Sequence, residues 1–186
     1  MSDLAVYDLD RTITRRPTYT LFLIHCAVRR QQWRLVFVPV VVIAMLAYAL
    51  GLFDRGRLKE ICQHLLIGHK VHATELRPLA ESFADAIAQR LAFDDVIATG
   101  SVIGLDERVH ARIAGENCYG EEKMRMIADW VEKSGLRGKH GHVRFYSDHA
   151  SDEPAFNWSD EPVAVNPHDR LARMAEQRGW AVEDWG

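Results

Sequence analysis

Asp8 and Asp10 stand two residues apart directly after the apolar run 4–7, and Thr12 follows two positions on. Two carboxylates and a hydroxyl therefore sit where a buried strand gives way to a loop, and such strand ends are where open α/β sheets bind their ligands. Asp8 is expected to project into that crevice. Carboxylates this close repel one another unless a cation lies between them, and hard oxygens with room for phosphate and water favour magnesium. A solvated Asp-x-Asp turn is the other reading of the same residues. A second acidic pair has the same local context. The stretch 142–147 reads as a short strand, and Asp148 and Asp152 come directly after it. One helical turn apart, they can face a common point and complete an oxygen cage with the first pair. Lys123 opens a strongly helical segment and can offer fixed positive charge to a phosphoryl oxygen; a solvated helix lysine is the alternative.

These segments together resemble the haloacid dehalogenase superfamily of phosphatases, in the subfamily of phosphoserine phosphatase-like hydrolases. Asp8, Asp10 and Thr12 correspond to its first motif, Lys123 within 117–123 to its third, and Asp148 and Asp152 to its fourth. The resemblance implies an α/β Rossmann-like core, with a parallel sheet, helices on both faces and an inserted helical cap. It further implies that Asp8 is a nucleophile forming an aspartyl-phosphate, that Asp10 is the general acid and base, and that Mg2+ is the cofactor. The metal would be held among Asp8, Asp10, Asp148 and Asp152, and Thr12 and Lys123 would bind phosphate.

One family motif has no counterpart in its usual place. A strand ending in a phosphate-binding Ser or Thr, followed by a helix, is expected before the segment 91–97, but the apparent cap helix 81–90 runs straight into Leu91. A parallel crossover needs a dozen or more residues, so a strand-and-helix unit is read as deleted. Thr99 and Ser101 are weak stand-ins for its hydroxyl. No helix is expected after Ser101, because Val109, Ala111 and Ile113 alternate with polar residues like a strand. The domain reading is therefore a core of 1–14 and 91–186, with a helical cap over 15–90. In the core, 121–134 carries the stripe Met124, Ile127, Ala128 and Val131 and stops at Gly135. Val163, Ala164 and Val165 read as a strand, a helix follows Asn166 and Pro167 and ends at Gly179, and 180–185 is an edge strand.

Within the cap, residues 35–53 carry no charge across nineteen positions. Their aliphatic and Phe residues contribute about −5 kcal/mol to bilayer insertion, partly cancelled by Pro39, Tyr48 and Gly51. A single crossing would separate Asp8 from Asp148, so it is incompatible with a shared site. An in-plane or re-entrant helix, a hairpin with 19–28, or a cap helix buried against protein remain, and shallow association with the cytoplasmic face of a membrane is preferred. Arg29, Arg30 and Arg34 before the run and Arg55, Arg57 and Lys59 after it suit an anionic surface. The run also resembles one beside motif one in phosphatidylglycerophosphatase C. The substrate is accordingly a phospholipid or a small phosphorylated metabolite.

Composition bounds the rest. With 186 residues, 48% of them apolar, the chain supports one core with an insertion. A formal net charge of −3 without a basic stripe argues against nucleic acid. Cys26, Cys62 and Cys118 lack metal-ligand spacing and read as reduced cytoplasmic thiols, and acidic residues interrupt any secretory signal near the start. The polar loop 138–142 and the trio His64, His69 and His72 show no recognised histidine metal motif. The sequence thus reads as a magnesium-dependent phosphomonoester hydrolase. A catalytically impaired phosphate- and metal-binding relative, or a membrane-surface interaction protein, are the alternatives.

Overall fold

The computed structural model describes residues 2–15, 17–88, 93–134 and 140–186. The elements in chain order are β1 (Ser2–Tyr7), α1 (Thr18–Arg30), α2 (Val38–Ala49), α3 (Arg55–Leu66), β2 (Lys70–His72), α4 (Ala73–Ala88), β3 (Gly100–Ile103), β4 (Arg108–Ala114), α5 (Glu121–Lys133), β5 (His140–Ser147), α6 (Glu153–Trp158), β6 (Glu161–Val165), α7 (Asp169–Arg178) and β7 (Ala181–Glu183). A 3-10 turn, Gln32–Phe37, leads into α2. The chain divides into two compact units, one of Met1–Thr18 with Cys118–Gly186 and one of Tyr19–Asn117.

The first unit holds a parallel sheet in the order β1-β5-β6-β7. Val163, Ala164 and Val165 of β6 are consecutively buried, as a strand covered on both faces requires. Helix α7 packs on β6 and β7 and contributes Leu171 and Ala175 to the core. It ends at Gly179, whose φ of +69° suits a residue without Cβ. Phe145 and Phe156 meet edge-on at 5.1 Å between centroids, and Trp180 stacks on Phe156 at 4.7 Å. The sequence treats 4–7 as a strand buried on both faces. Instead β1 lies at the margin of this sheet, with Ala5 and Tyr7 exposed and Leu4 and Val6 half-buried. Tyr7 spreads over the neighbouring strand, stacked on Tyr146 at 4.6 Å.

The second unit is not purely helical. Its core joins Leu23, Cys26 and Ala27 of α1, Val41 of α2, and Cys62 and Leu66 of α3 to Ile67 and Val71. Beside them stands an antiparallel sheet in the order β2-β4-β3. Lys70, Val71 and His72 pair with His110, Val109 and Arg108. That pairing draws 93–117 into the second unit, whereas the sequence reading assigned 91–117 to the core. The alternation of Val109, Ala111 and Ile113 reveals a strand, but nothing local names its partner. Residues 93–97 form no strand, and Gln89–Ala92, where the missing unit was sought, lie outside the described residues.

Phe156 is fully buried between two aromatic rings, so Phe156→Ala should cost about 3–5 kcal/mol. Val182→Ala, at a half-exposed position of β7, should stay within about 0.5 kcal/mol. Urea denaturation of the two variants checks this, and equal midpoints would contradict the placement of the core.

Candidate active site

The backbone N–H of Asp8 donates to the Tyr146 carbonyl at 2.8 Å, so Asp8 continues the ladder between β1 and β5. The chain then turns tightly: the N–H groups of Ile13 and Thr14 both donate to the Leu9 carbonyl, and Arg11 adopts a left-handed φ of +66°. That turn drives Thr12 inward, where it is 4% exposed. Its hydroxyl accepts from the Asp148 N–H at 3.0 Å and donates to the Asp148 carboxylate at 3.4 Å, joining the motif-one loop to the end of β5. Asp10 points to the next element. Its Oδ1 accepts from both the N–H and the hydroxyl of Thr18, each at 2.7 Å, where α1 begins.

Lys123 enters from the first turn of α5. Gly120 precedes that helix at φ +59° and ψ −130°, a conformation reserved for glycine, and this sets the direction of the turn. The ammonium of Lys123 donates to Asp8 Oδ1 at 3.1 Å and to Asp152 Oδ2 at 2.6 Å. Ser147, the last residue of β5, donates to the same Asp152 oxygen at 2.7 Å and accepts the His149 N–H. Sequence reasoning passed over Ser147. Its only signal was its place at the end of a strand, immediately before Asp148.

Burial raises the carboxyl of Asp8 above the ordinary range; Lys123 opposes this, while Asp152 and Asp148 reinforce it. Asp148 is likewise raised by burial. For Lys123, burial alone would depress the ammonium, but Asp152 and Asp8 outweigh it and hold the group above its usual value. The cluster is acid-rich, with one ammonium shared between two carboxylates and Asp148 raised beside them. Asp152 Oδ1 is buried without a hydrogen-bond partner. Such a set of hard oxygens fits a divalent cation of the magnesium type.

The four-carboxylate cage expected from the sequence does not form. Among the described residues no three His, Cys, Asp or Glu side chains gather as a metal site. Asp152 spends Oδ2 on Lys123 and Ser147, and Asp10 spends Oδ1 on Thr18. Lys123 links Asp8 to Asp152, and Thr12 separately holds Asp148. Thr99 and Ser101 belong to the second unit, where the Thr99 hydroxyl donates to Asn117 at 3.0 Å and accepts from Lys59 at 3.2 Å.

The family model for haloacid dehalogenase-like hydrolases matches residues 73–157. A relative in Mycobacterium tuberculosis, named Phosphoserine phosphatase SerB1, is 30% identical over 128 residues, covering 68% of this chain and 40% of that protein. The chain spans about two fifths of the length of the curated relatives it matches. Among solved structures, a protein of unknown function from Bordetella pertussis Tohama I has a TM-score of 0.81 at 23% identity, with 99% of each chain covered. A substrate-bound phosphoserine phosphatase shares the fold at a TM-score of 0.56 and 11% identity, covering 100% of this chain and 94% of that one. The family match over 73–157 and the named relatives make this chain similar to the haloacid dehalogenase-like hydrolases, and the solved structures share its Rossmann-like α/β fold.

Proposed function

We propose that the protein hydrolyses phosphomonoesters through an aspartyl-phosphate on Asp8. The observation that carries this reading is the Lys123 ammonium, held between Asp8 and Asp152 beside the buried Asp148. An Asp8 carboxylate oxygen attacks phosphorus, the ester P–O bond breaks, and Asp10 gives its proton to the departing alkoxide. Asp10 then takes a proton from water as that water attacks the phosphoryl group, releasing phosphate and restoring Asp8. Thr18 fixes the orientation of the Asp10 carboxyl for both transfers. Lys123 balances charge on the phosphoryl oxygens, and Asp152 and Ser147 keep its ammonium in place. Thr12 holds Asp148 at the mouth of the loop. Mg2+, when bound by the Asp8 and Asp148 carboxylates and the Asp10 carbonyl, would supply further charge stabilisation to the phosphoryl group.

The substrate class favoured by the relatives' names is a small phosphorylated metabolite, with a phospholipid monoester as the second candidate. Cys26, Cys62 and Cys118 form no disulfide among the described residues, which suits a reducing, cytoplasmic setting. A second reading, phosphate and metal binding with little turnover, draws on one observation: β1 has β5 as its only strand neighbour among the described residues.

With magnesium and p-nitrophenyl phosphate, the wild type should turn over, Asp8→Asn should abolish turnover, and Asp10→Asn should lower kcat by about 100- to 10,000-fold. Phosphate binding without wild-type turnover would favour the second reading.

A carboxyl raised by folding stabilises the protein while protonated and costs stability once pH passes its folded value. Without metal, Asp148→Asn should therefore be more stable than wild type at neutral pH, and the difference should vanish in acid. Magnesium should raise the melting temperature of the wild type and leave that of the variant unchanged. Thermal melts at two pH values, with and without the ion, check both; identical curves for the two proteins throughout would refute them.

A further inference from the structure

The first unit contains an open cavity of about 650 Å³, a size typical of small-molecule sites, bordered among others by Arg11, Thr12, Arg15, Asn166, Val182 and Trp185. It lies at the carboxyl end of the parallel sheet: the loop of Arg11 and Arg15 follows β1, Asn166 directly follows β6, and Trp185 comes two residues after β7. Strand ends of this kind are where open α/β sheets take their ligands. Of the residues described around Lys123, Thr12 alone borders the cavity, so it adjoins the site at Asp148 without coinciding with it.

The charged groups of the cavity are committed unequally. Glu183 and Asp184 line it too, but the Glu183 carboxylate accepts the Trp185 indole N–H at 2.7 Å, and Asp184 accepts the Gly186 N–H at 3.0 Å. Arg11 and Arg15 are exposed and have no hydrogen-bond or ion-pair partner among the described residues. A guanidinium is a planar fork of donors that matches a carboxylate or a phosphate, and one loop carries two of them. Asn166 turns its side-chain carbonyl to the Trp185 N–H at 2.8 Å, which leaves its NH2 to donate. These bonds fix the indole, which leans on Tyr146 at 5.6 Å between centroids and on Tyr7 at 6.3 Å while Trp185 stays 41% exposed. With its N–H spent on Glu183, the ring still offers apolar surface, and exposed Val182 extends it.

We propose that this cavity binds a small organic anion with a planar apolar body, its acidic group held by Arg11 and Arg15 and its body against Trp185. Two sources present that chemistry: the alcohol end of the phosphomonoester, reaching past Thr12, or a separate ligand that leaves Asp8 open. Binding itself does not depend on turnover at Asp8, so a wild type without phosphatase activity would sink the catalytic reading and leave this one standing.

The test is titration calorimetry with 2-naphthoate and with its neutral counterpart, 2-naphthamide. The wild type should bind the anion at least about tenfold more tightly than the amide, by a margin that shrinks as salt is raised. Arg11→Asn with Arg15→Gln should abolish the preference at an unchanged melting temperature, asparagine being suited to the left-handed φ of +66° at position 11. Should that pair fail to fold, Arg15→Gln alone must reduce the preference. Trp185→Ala should weaken both compounds together. Equal affinities for the anion and the amide, a preference that survives loss of both guanidiniums, or no binding of either compound up to about 10 mM would each overturn the proposal. A 2-naphthoate-dependent rise in KM for p-nitrophenyl phosphate that disappears in the arginine variant identifies the substrate's own end as the occupant; binding that leaves KM unchanged identifies a separate ligand.

Discussion

One ammonium group sets the terms for everything around it. Lys123 reaches Asp8 at the end of β1 and Asp152 in the turn after β5, and so ties the start of α5 to both by charge. Asp152 is 1% exposed, and a buried carboxylate stripped of its cation is a multi-kcal/mol liability. The fold therefore cannot bring these carboxylates together without also bringing the lysine, and the helix start that aims it depends on the backbone of Gly120. Thr12 does for Asp148 what Lys123 does for the other two, with a neutral hydroxyl instead of a charge.

Much of this arrangement was legible because it is written in short-range pattern. The stripe Met124, Ile127, Ala128 and Val131 gave α5, which spans Glu121–Lys133, while Gly135, the expected stop, lies outside the described residues. The run of Val163, Ala164 and Val165 gave a covered central strand, and 180–185 gave the edge strand β7. Asp8, Lys123 and Asp148 were singled out from their places after strands and at a helix start, and the ion pair of Asp8 with Lys123 follows from two of those places. What escaped was long-range. Nothing in Lys70, Val71 and His72 announces that they pair with β4, so the second sheet and its membership of the second unit could not be foreseen.

The corrections have a shared cause. Residue type reveals what a carboxylate is able to do, but not which neighbour reaches it first. Asp10 gives its Oδ1 to Thr18, and Asp152 gives its Oδ2 to Lys123 and Ser147 while its Oδ1 has no partner. The same holds for the cations around α2. Arg30, Arg34, Arg57 and Lys59 turn to carbonyls, carboxylates or an amide of the protein, a choice made by the folded geometry after the sequence has specified only their charge.

The marginal position of β1 carries a consequence for motion. A strand flanked on both sides opens only when two ladders break, whereas β1 is held by its single ladder to β5 among the described strands. Fraying from that side breaks one ladder only, and Asp8 rides on the strand that frays. The reactive carboxylate is thereby anchored at its tip, by Lys123 and the Tyr146 carbonyl, more firmly than along the strand that delivers it.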